Sequence, residues 1–571
     1  MKKITQMTLM AAVLGLALAG SASAANVAVS ANITTSTTWT ADNVYNLVGQ
    51  IYVEPGATLT IQAGTLIKSN PADQGSLAVC RGAKIFVLGT REKPVIMTST
   101  NDDMVTWRPV CNEWGNLTLM GKGLISASHY GGLPVGSNTK TPTGLNEKKM
   151  EGLTHATLAN YGGNDDNDDS GSIRYLSLRY GGKVIGLANE LNGLSLGAIG
   201  RETEIEHLEI MNNVDDGIEI WGGTVNLKYF SIWNVGDDSL DIDEGWRGKA
   251  QFGLIVQGYS ANASQGSGVG DNCIEMDGAE DSDAQPVTTG ALYNLTVVGQ
   301  PIHGDHGTAW RDNARMQIRN SIFMELGEVL VKNDNSDGDG GSGYGYNGTL
   351  TWADTWTTPY TVTSAVNIGT ADPAVLYTAQ TSGKLAEITD SVFYNNPHAS
   401  TYTEADARGV RAAANVNVTA AAGVSPIQGL TRGSPVVLGS LTMLPVTSIN
   451  PCAANDAVTS FGTAPCDGFF TPAKFRGAFS ATNNWLKGWT AADAYGLTVT
   501  SMNQADPPAT MEMTATTYFQ SVAGEVYVVE VSSDMNNWSP VGTVSGTGEI
   551  IAISDVDSSF DSSKFYRVIR Q

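Results

Sequence analysis

Short runs of alternating apolar and polar residues, bounded by Gly, Asn or Asp, recur along the middle of the chain. Alternation with a period of two residues is typical of half-buried β-strands and not of helices. The run 215–220 (DDGIEI) returns as 237–242 (DDSLDI), an offset of 22 residues. This repetition predicts a solenoid, because a short strand buries its apolar side best against a copy of itself.

Other apolar positions fit the same repeat. Three pairs are expected to align, each one coil after the last: Leu208/Ile210, Phe230/Ile232 and Phe252/Leu254. A third acidic turn at 270–276 (GDNCIEM) comes later than the offset requires, and the polar insert 257–268 accounts for the delay. A repeat just over 20 residues long suits one coil of a parallel β-helix built from three short strands.

Several segments resemble a known family. They are 51–65 (IYVEPGATLTIQAGT), 83–90 (AKIFVLGT), 114–119 (WGNLTL), 221–226 (WGGTVN) and 241–248 (DIDEGWRG). They resemble secreted proteins of the pectin-lyase-like superfamily, in particular a largely uncharacterised branch of exported bacterial β-helix proteins. The resemblance implies an all-β chain folded as a right-handed parallel β-helix. It carries over no agreed activity.

The domain organisation follows from local composition. Lys2 and Lys3, an apolar run from Met7 to Ala19 and a small-residue site ending at Ala24 predict a secretory signal peptide. The apolar run is too short to span a membrane. The predicted parts are a signal peptide (1–24), a β-helix with loop inserts (25–440), a capping or linker segment (441–506) and a small C-terminal β-sandwich module (507–571).

The formal net charge of −24 disfavours binding to nucleic acid or to anionic membranes and favours binding of cations. Because of the predicted signal peptide, we predict an exported protein without membrane insertion, at the cell surface or in the extracellular space, with the periplasm as an alternative. Export permits disulfides. The sequence favours the pairs Cys452–Cys466 and Cys80–Cys111, which leaves Cys273 as a buried wall residue.

Stacking gives the repeat a chemical consequence. Equivalent residues of adjacent coils lie about 4.8 Å apart, so Asp216 is expected near Asp238 and Glu219 near Asp241. Two carboxylates at that distance repel by roughly 3 kcal/mol at an effective dielectric constant of about 20. A bound calcium ion would relieve this repulsion. The candidate metal ligands are Asp215, Asp216, Asp237, Asp238, Asp243 and Asp271. The alternative is that these residues only shape the corners and cap backbone amides.

A second acidic stretch, 333–340 (NDNSDGDG), has the spacing that begins a calcium-binding loop. Its candidate ligands are Asn333, Asn335, Asp337 and Asp339. Tyr344 stands where such a loop would close with Glu. The alternative is a solvated loop.

Catalysis is a competing hypothesis. β-Helix hydrolases use clustered aspartates from adjacent coils as general acid and base, and Asp216, Asp237 and Asp238 resemble that pattern. The next coil, however, has Gln257-Gly258-Tyr259 in place of the expected Gly-His-Gly. A lyase would need a basic residue such as Arg247 or Arg311.

Tryptophans on consecutive coils point to glycan binding, because exposed indole rings form flat platforms for sugars. The candidates are Trp221, Trp233, Trp246 and Trp310. The alternative is that they pack in the core. The favoured function is a non-catalytic, calcium-stabilised secreted or cell-surface protein that binds polysaccharide, cell-surface glycan or other surface material. The alternatives are a hydrolase or lyase acting on acidic glycans and a purely structural matrix component.

Overall fold

The computed structural model describes most of the chain. The described residues are 24–126, 147–186, 189–261, 269–278, 286–302, 306–312, 314–333, 354, 356–359, 384–396, 416–418, 425–454, 464–500, 513–532, 538–548, 550–557 and 565–570. The predicted signal peptide lies outside them except for Ala24. In the described part, helices long and apolar enough to cross a membrane are not found.

The strands follow one another with little helix between them. The first group is β1 (Ala25–Val29), β2 (Thr37–Trp39), β3 (Asn43–Leu47), β4 (Gln50–Val53), β5 (Thr58–Gln62), β6 (Leu66–Ser69), β7 (Ser76–Val79), β8 (Lys84–Leu88), β9 (Val95–Ser99), β10 (Leu117–Met120), β11 (Lys148–Lys149) and β12 (Asn160–Tyr161). The second group is β13 (Gly171–Arg179), β14 (Val184–Gly186), β15 (Asn189–Glu190), β16 (Leu194–Gly197), β17 (Glu204–Met211), β18 (Ile218–Trp221), β19 (Asn226–Trp233), β20 (Leu240–Asp243), β21 (Lys249–Val256), β22 (Ile274–Asp277), β23 (Ala291–Val298), β24 (Thr308–Arg311), β25 (Gln317–Arg319), β26 (Ile322–Met324) and β27 (Val331–Asn333).

The remaining elements close the chain. They are β28 (Glu387–Thr389), β29 (Val392–Tyr394), β30 (Val416–Val418), β31 (Ile427–Arg432), β32 (Val436–Leu438), β33 (Leu441–Met443), β34 (Val446–Ala453), α1 (Ala491–Ala494), β35 (Met513–Gln520), β36 (Val526–Ser532), β37 (Ser539–Ser545), β38 (Ile550–Asp557) and β39 (Phe565–Arg570).

One face of the solenoid is a nine-stranded parallel sheet in the order β27-β24-β22-β20-β18-β16-β10-β7-β4. The other two faces share a seventeen-stranded sheet. They are joined because β13 pairs with β8 through its first half and with β9 through its second half. The predicted right-handed parallel β-helix is confirmed.

The join between these two faces is a bend in the long strands. β13, β17, β19 and β21 each turn at one non-glycine residue with positive φ: Tyr175 (49°), His207 (57°), Tyr229 (56°) and Phe252 (61°). Such a conformation is uncommon outside glycine and asparagine. Here the four rings stack one on the next, with centroids 4.2, 4.6 and 4.9 Å apart, and this packing offsets the backbone cost. The middle coils therefore contain a fused, bent strand instead of two separate short ones.

The predicted register is confirmed where the repeat is most regular. Ile218 pairs with Leu240 and Glu219 with Asp241, an offset of 22 residues. The next step of the alignment is wrong by one residue, since Phe230 pairs with Gly253 and not with Phe252. The extra residue is taken up at the corner before β21, where Glu244 and Gly245 both have positive φ.

The core is a continuous column of inward-facing aliphatic side chains. In β18, β20 and β22, alternate residues point inward and are fully buried: Ile218, Ile220, Leu240, Ile242, Ile274 and Met276. Each such side chain contributes about 1.5–3 kcal/mol through burial. The column therefore stabilises the stack mainly through contacts between adjacent coils.

Parallel coils give way to antiparallel strands after β30. Among the described strands, the last parallel strand pair of the solenoid joins β29 to β30 (Val416–Val418). Beyond it β31 pairs with β34, and β32 with β33, both antiparallel. Strands β31 and β32, which precede the predicted β-helix boundary at residue 440, therefore pair antiparallel and do not continue the parallel sheets.

The predicted capping segment lies along the solenoid. We call residues 464–499 the strap. Its aromatic side chains pack on the bent strands: Trp489 meets Tyr175 edge-on at 5.5 Å, and Phe475 stacks on Phe252 at 6.1 Å between ring centroids. Because these partners belong to different coils, the strap covers the outside of the seventeen-stranded sheet.

A buried carboxylate anchors the strap. Glu209 is fully buried and accepts hydrogen bonds from the backbone N–H groups of Ala491 (2.5 Å) and Ala492 (2.9 Å) at the start of α1. Ser177 donates a third hydrogen bond to it at 2.6 Å. Burial nevertheless raises the pKa of Glu209, so desolvation outweighs these favourable contacts.

Residues 500–571 form a second compact unit. It contains one antiparallel pair, β35 with β38, and one three-stranded antiparallel sheet in the order β37-β36-β39. Phe519 of the first sheet lies 4.9 Å from Tyr527 of the second, measured between ring centroids. This is the expected small β-sandwich, and the unit begins at Thr500, a few residues earlier than predicted.

Neither of the two predicted disulfides is formed in the structure. Cys80 packs into the central core, where burial raises the pKa of its thiol to about 12, whereas Cys111 lies outside that core in a loop. Cys452 is a buried residue of β34, and Cys466 is exposed. Cys273 is buried in the wall of the solenoid as expected.

The stacked core makes a stability prediction. Leu240→Ala removes a fully buried side chain between two coils and should lower the free energy of unfolding by about 2–5 kcal/mol. Guanidinium titration followed by circular dichroism measures this loss. Val437→Ala is the control, because Val437 is 66% exposed. Equal effects of the two substitutions would contradict the stacked core.

Candidate functional site

The outer surface of the nine-stranded sheet carries rows of acidic residues. Outward positions of β18, β20 and β22 align as Glu219, Asp241 and Glu275. A second row holds Trp221 and Asp243 and continues to Asp277 at the next outward position of β22. We call these rows, with the turn residues Asp215, Asp216, Asp237, Asp238 and Asp271 that precede the strands, the acidic face.

Carboxylate oxygens converge at three places on this face. Each group has ligand atoms within 4.8 Å of one another: Asp215/Asp216/Asp237, Asp216/Glu219/Asp241 and Asp237/Asp238/Asp271. Oxygens that surround one calcium ion at 2.3–2.6 Å lie at most about 5 Å apart. The spacing within each group therefore fits a shared cation.

Asp216 and Asp238 also have a structural role at the corner. The Asp216 carboxylate accepts from the Asp238 N–H at 2.8 Å, and the Asp238 carboxylate accepts from the Asn272 N–H at 2.5 Å. In the coil before, Asn192 accepts from the Asp216 N–H at 3.2 Å in the same way. Since an asparagine does the same work, the negative charge of the two aspartates is not required for the turn.

Burial and mutual repulsion raise the pKa values across the face. Burial is the main cause of the raised pKa of Asp215, about 8, and repulsion from Asp237 is the second cause. Burial also raises the pKa of Asp237, to about 7, with repulsion from Asp271 as the second cause. The pKa values of Asp216, Glu219 and Asp241 are raised well above their ordinary range for the same two reasons. The folded chain therefore holds protons here unless a cation replaces them.

Protein groups neutralise only part of this charge. Arg311 pairs with Glu275 at 3.1 Å and with Asp277 at 3.4 Å at one end of the rows. Within the described residues, one buried oxygen each of Asp241 and Asp277 has no hydrogen-bond partner. These two oxygens have lost water without gaining a protein donor, and a cation would satisfy them.

A cavity of about 400 Å³ adjoins the acidic face. A hairpin formed by β11 and β12 folds over the sheet, and it packs closely because residue 197 is glycine. A Cβ atom at Gly197 would lie 2.6 Å from Cγ of Tyr161. The cavity is lined by Lys148, Lys149, Met150, Glu151, Leu153, Tyr161, Asn189 and Trp221.

The polar groups of the cavity are held at defined positions. Glu244 is fully buried and binds Lys148 Nζ at 2.5 Å and the Tyr161 hydroxyl at 2.8 Å. Glu151 accepts a hydrogen bond from the Glu190 N–H at 3.3 Å. Burial, with Glu190 and Asp243 adding, raises the pKa of Glu151 to about 7, against the opposing effect of Lys148.

The four tryptophans predicted to form exposed platforms for sugars are all buried. Trp246 and Trp310 are fully buried, and Trp233 is 1% exposed beneath the strap. The indole N–H groups of Trp246 and Trp310 donate hydrogen bonds inside the fold, to the Val225 carbonyl at 3.0 Å and to the Thr308 hydroxyl at 2.9 Å. Trp221 is 5% exposed and differs from the others because it forms part of the cavity wall.

The structure brings together five of the six metal ligands predicted in the turns: Asp215, Asp216, Asp237, Asp238 and Asp271. Asp243 lies beside the groups, in the row with Trp221, and accepts from the Glu244 N–H at 2.5 Å. In the second acidic stretch Asn333 ends β27, and Asn335, Asp337 and Asp339 lie outside the described residues.

Sequence reasoning missed the cavity residues. Glu151 and Tyr161 belong to an insert that does not share the 22-residue period, so the repeat gave no means of locating them. The stacked row of Glu219 and Asp241 was expected from the offset, but neither residue was named as a ligand.

The hydrolase pattern fits poorly. Asp216 and Asp238 are 7% and 5% exposed and cap the corner, so only Asp237 of the three catalytic candidates is partly accessible. Arg247, a candidate lyase base, is fully engaged inside the fold, where it forms a two-point pair with Asp166 at 2.5 and 3.0 Å.

The fold and the acidic outer sheet define a right-handed parallel β-helix with a charged face. Residues 31–392 match the family described as the pectate-lyase-like β-helix domain. The match spans more than half of the chain, and the protein belongs to this family. Searches of curated proteins and of solved structures gave no match.

The raised pKa values predict a pH dependence. Between about pH 4 and pH 8 the folded chain keeps protons on Asp215 and Asp237 that the unfolded chain releases, because their pKa values rise from 3.8 to about 8 and about 7. This stabilising contribution is complete below about pH 4 and is lost as pH rises through about 8. With chelator present, the melting temperature should fall across this window. The double variant Asp215→Asn/Asp237→Asn should make the dependence shallower, while Asp216, Glu219 and Asp241 keep part of it. A melting temperature that rises with pH in the wild type would contradict the prediction.

Proposed function

We propose that the protein is a non-catalytic glycan-binding β-helix that acts outside the cytoplasm, with calcium on its acidic face. One observation carries the proposal: three convergent carboxylate groups lie beside a cavity with an aromatic wall. The predicted signal peptide supports export. The net charge of −24 argues against nucleic acid as a partner.

Calcium suits the acidic face better than a smaller cation does. It accepts six to eight oxygen ligands with flexible geometry, whereas magnesium requires a near-octahedral cage and keeps its waters. Turn carboxylates and strand carboxylates reach the same space, since oxygens of Asp216 and Asp241 belong to one group within 4.8 Å. Calcium there would replace protons and relieve the repulsion between the rows.

The cavity supplies the glycan-binding part. Its volume of about 400 Å³ lies within the range of small-molecule sites, roughly 300–1,000 Å³. Trp221 and Tyr161 give it aromatic walls, with ring centroids 6.2 Å apart. Asn189 and Glu151 add hydrogen-bonding groups suited to sugar hydroxyls.

Calcium is expected to raise the melting temperature at neutral pH, and chelator to reverse the rise. Asp237→Asn should remove most of the effect, because Asp237 belongs to two of the three carboxylate groups. Asp42→Asn is the matched control, since Asp42 is an exposed aspartate outside the acidic face. A melting temperature indifferent to calcium and chelator would reject the structural cation.

A glycan array tests the binding function. The full-length protein should bind at least one class of oligosaccharide, and the bound oligosaccharide should be recovered intact after incubation. Absence of binding on the array would reject the glycan-binding proposal. Shortened products would replace it with the catalytic alternative.

Polysaccharide cleavage is the second candidate, favoured by Glu151. A carboxyl group with a pKa of about 7 in a cavity is suited to exchange protons with a substrate near neutral pH. If cleavage products are found, Glu151→Gln should abolish them and leave the melting temperature nearly unchanged.

A further inference from the structure

We infer that the cavity beside Trp221 selects glycans that carry free, positively charged amino groups. The inference rests on the proposed glycan-binding function and names the class of sugar. Three observations support it: the charges around the cavity, the aromatic residues in its wall, and the ion pair that holds one of its two lysines.

Negative groups outnumber positive ones around the cavity. Glu151 lies in its wall, and it interacts electrostatically with Glu190, Asp215, Glu219 and Asp243. Glu219 lies two residues before Trp221 on the same face of β18. Asp243 pairs with Trp221 on the neighbouring strand β20. A cationic group that enters the cavity would therefore lie close to several carboxyl groups at once.

The two lysines do not make the cavity an anion site. Lys148 Nζ is held by Glu244 Oε1 at 2.5 Å, so its charge is already compensated within the wall. Lys149 is exposed at the rim. An incoming carboxylate would be attracted by one exposed lysine and repelled by the acidic row. An ammonium group would be attracted by the acidic row.

The aromatic wall favours a sugar over a simple metal ion. Trp221, which is 5% exposed, and Tyr161, which is 1% exposed, line the cavity next to the carboxylates and offer a sugar a small apolar contact. An amino sugar has an apolar ring face for stacking, hydroxyl groups for Asn189 and an ammonium group for Glu151. Cation–π attraction by the indole ring would add to this pairing. A bare divalent cation would use none of the apolar surface.

The test compares three tetrasaccharides by calorimetry with the full-length protein at about pH 7, where Glu151, with its pKa of about 7, and an amine of ordinary pKa both carry charge in a large fraction of molecules. The probes are a glucosamine oligomer, the corresponding N-acetylglucosamine oligomer and a galacturonate oligomer with and without calcium. We expect the glucosamine oligomer to bind most tightly. Glu151→Gln should weaken its binding by roughly tenfold or more, because a charge-assisted hydrogen bond is lost.

Two variants control this result. Glu204→Gln should bind the glucosamine oligomer like the wild type, since Glu204 is 60% exposed on the other sheet. Lys149→Gln should strengthen binding, because it removes a like charge from the rim. Melting curves in calcium establish that each variant is folded.

Each outcome decides the inference. Equal or tighter binding of the N-acetylated or galacturonate oligomer overturns the preference for amino groups while leaving glycan binding in place. Loss of binding in Lys149→Gln also overturns it, because an anion would then be the ligand. Absence of binding by all three probes overturns the inference, and the glycan array decides separately whether glycan binding itself fails.

Discussion

Vertical stacking of equivalent residues is the constraint on which the molecule depends. Each coil places its side chains about one strand spacing, roughly 4.8 Å, above those of the coil before. Inward, this turns Ile218, Leu240 and Ile274 into a continuous apolar column. Outward, the same geometry turns single acidic residues into rows. The core and the acidic face are therefore two results of one registration, and a change in register would alter both.

The two results differ in sign. Apolar rows stabilise the fold further with each added coil, whereas carboxylate rows destabilise it through repulsion. The chain limits this loss by placing Asn192 and Asn272 in the corner positions on either side of Asp216 and Asp238. Arg311 closes the rows at the other end. The stretch between these residues carries more negative charge than its described protein partners neutralise, and the calcium proposal rests on that excess.

The sequence was sufficient for every feature that shares the repeat. Periodicity gave the strand stacking, the pairing of Glu219 with Asp241 and the grouping of the turn aspartates. It failed where the chain departs from the period. The one-residue shift at Phe252 comes from a corner of different length, and the bend at His207 depends on ring stacking that no propensity scale includes. The β11–β12 hairpin and the strap have no period, so their positions follow only from long-range packing.

The strap explains why the outer surfaces of the two sheets differ in how far the protein covers them. It covers the bent strands with Trp489 and Phe475 and satisfies Glu209 through backbone N–H groups, so the polar and apolar groups of that sheet are used inside the protein. The nine-stranded sheet has the β11–β12 hairpin and the β14–β15 pair beside part of its outer surface, and among the described residues it keeps oxygens of Asp241 and Asp277 without protein donors. Unsatisfied charge next to an aromatic cavity is costly unless a ligand compensates it. The nine-stranded sheet is therefore the face at which a bound ligand would restore stability that the fold loses through repulsion between carboxylates.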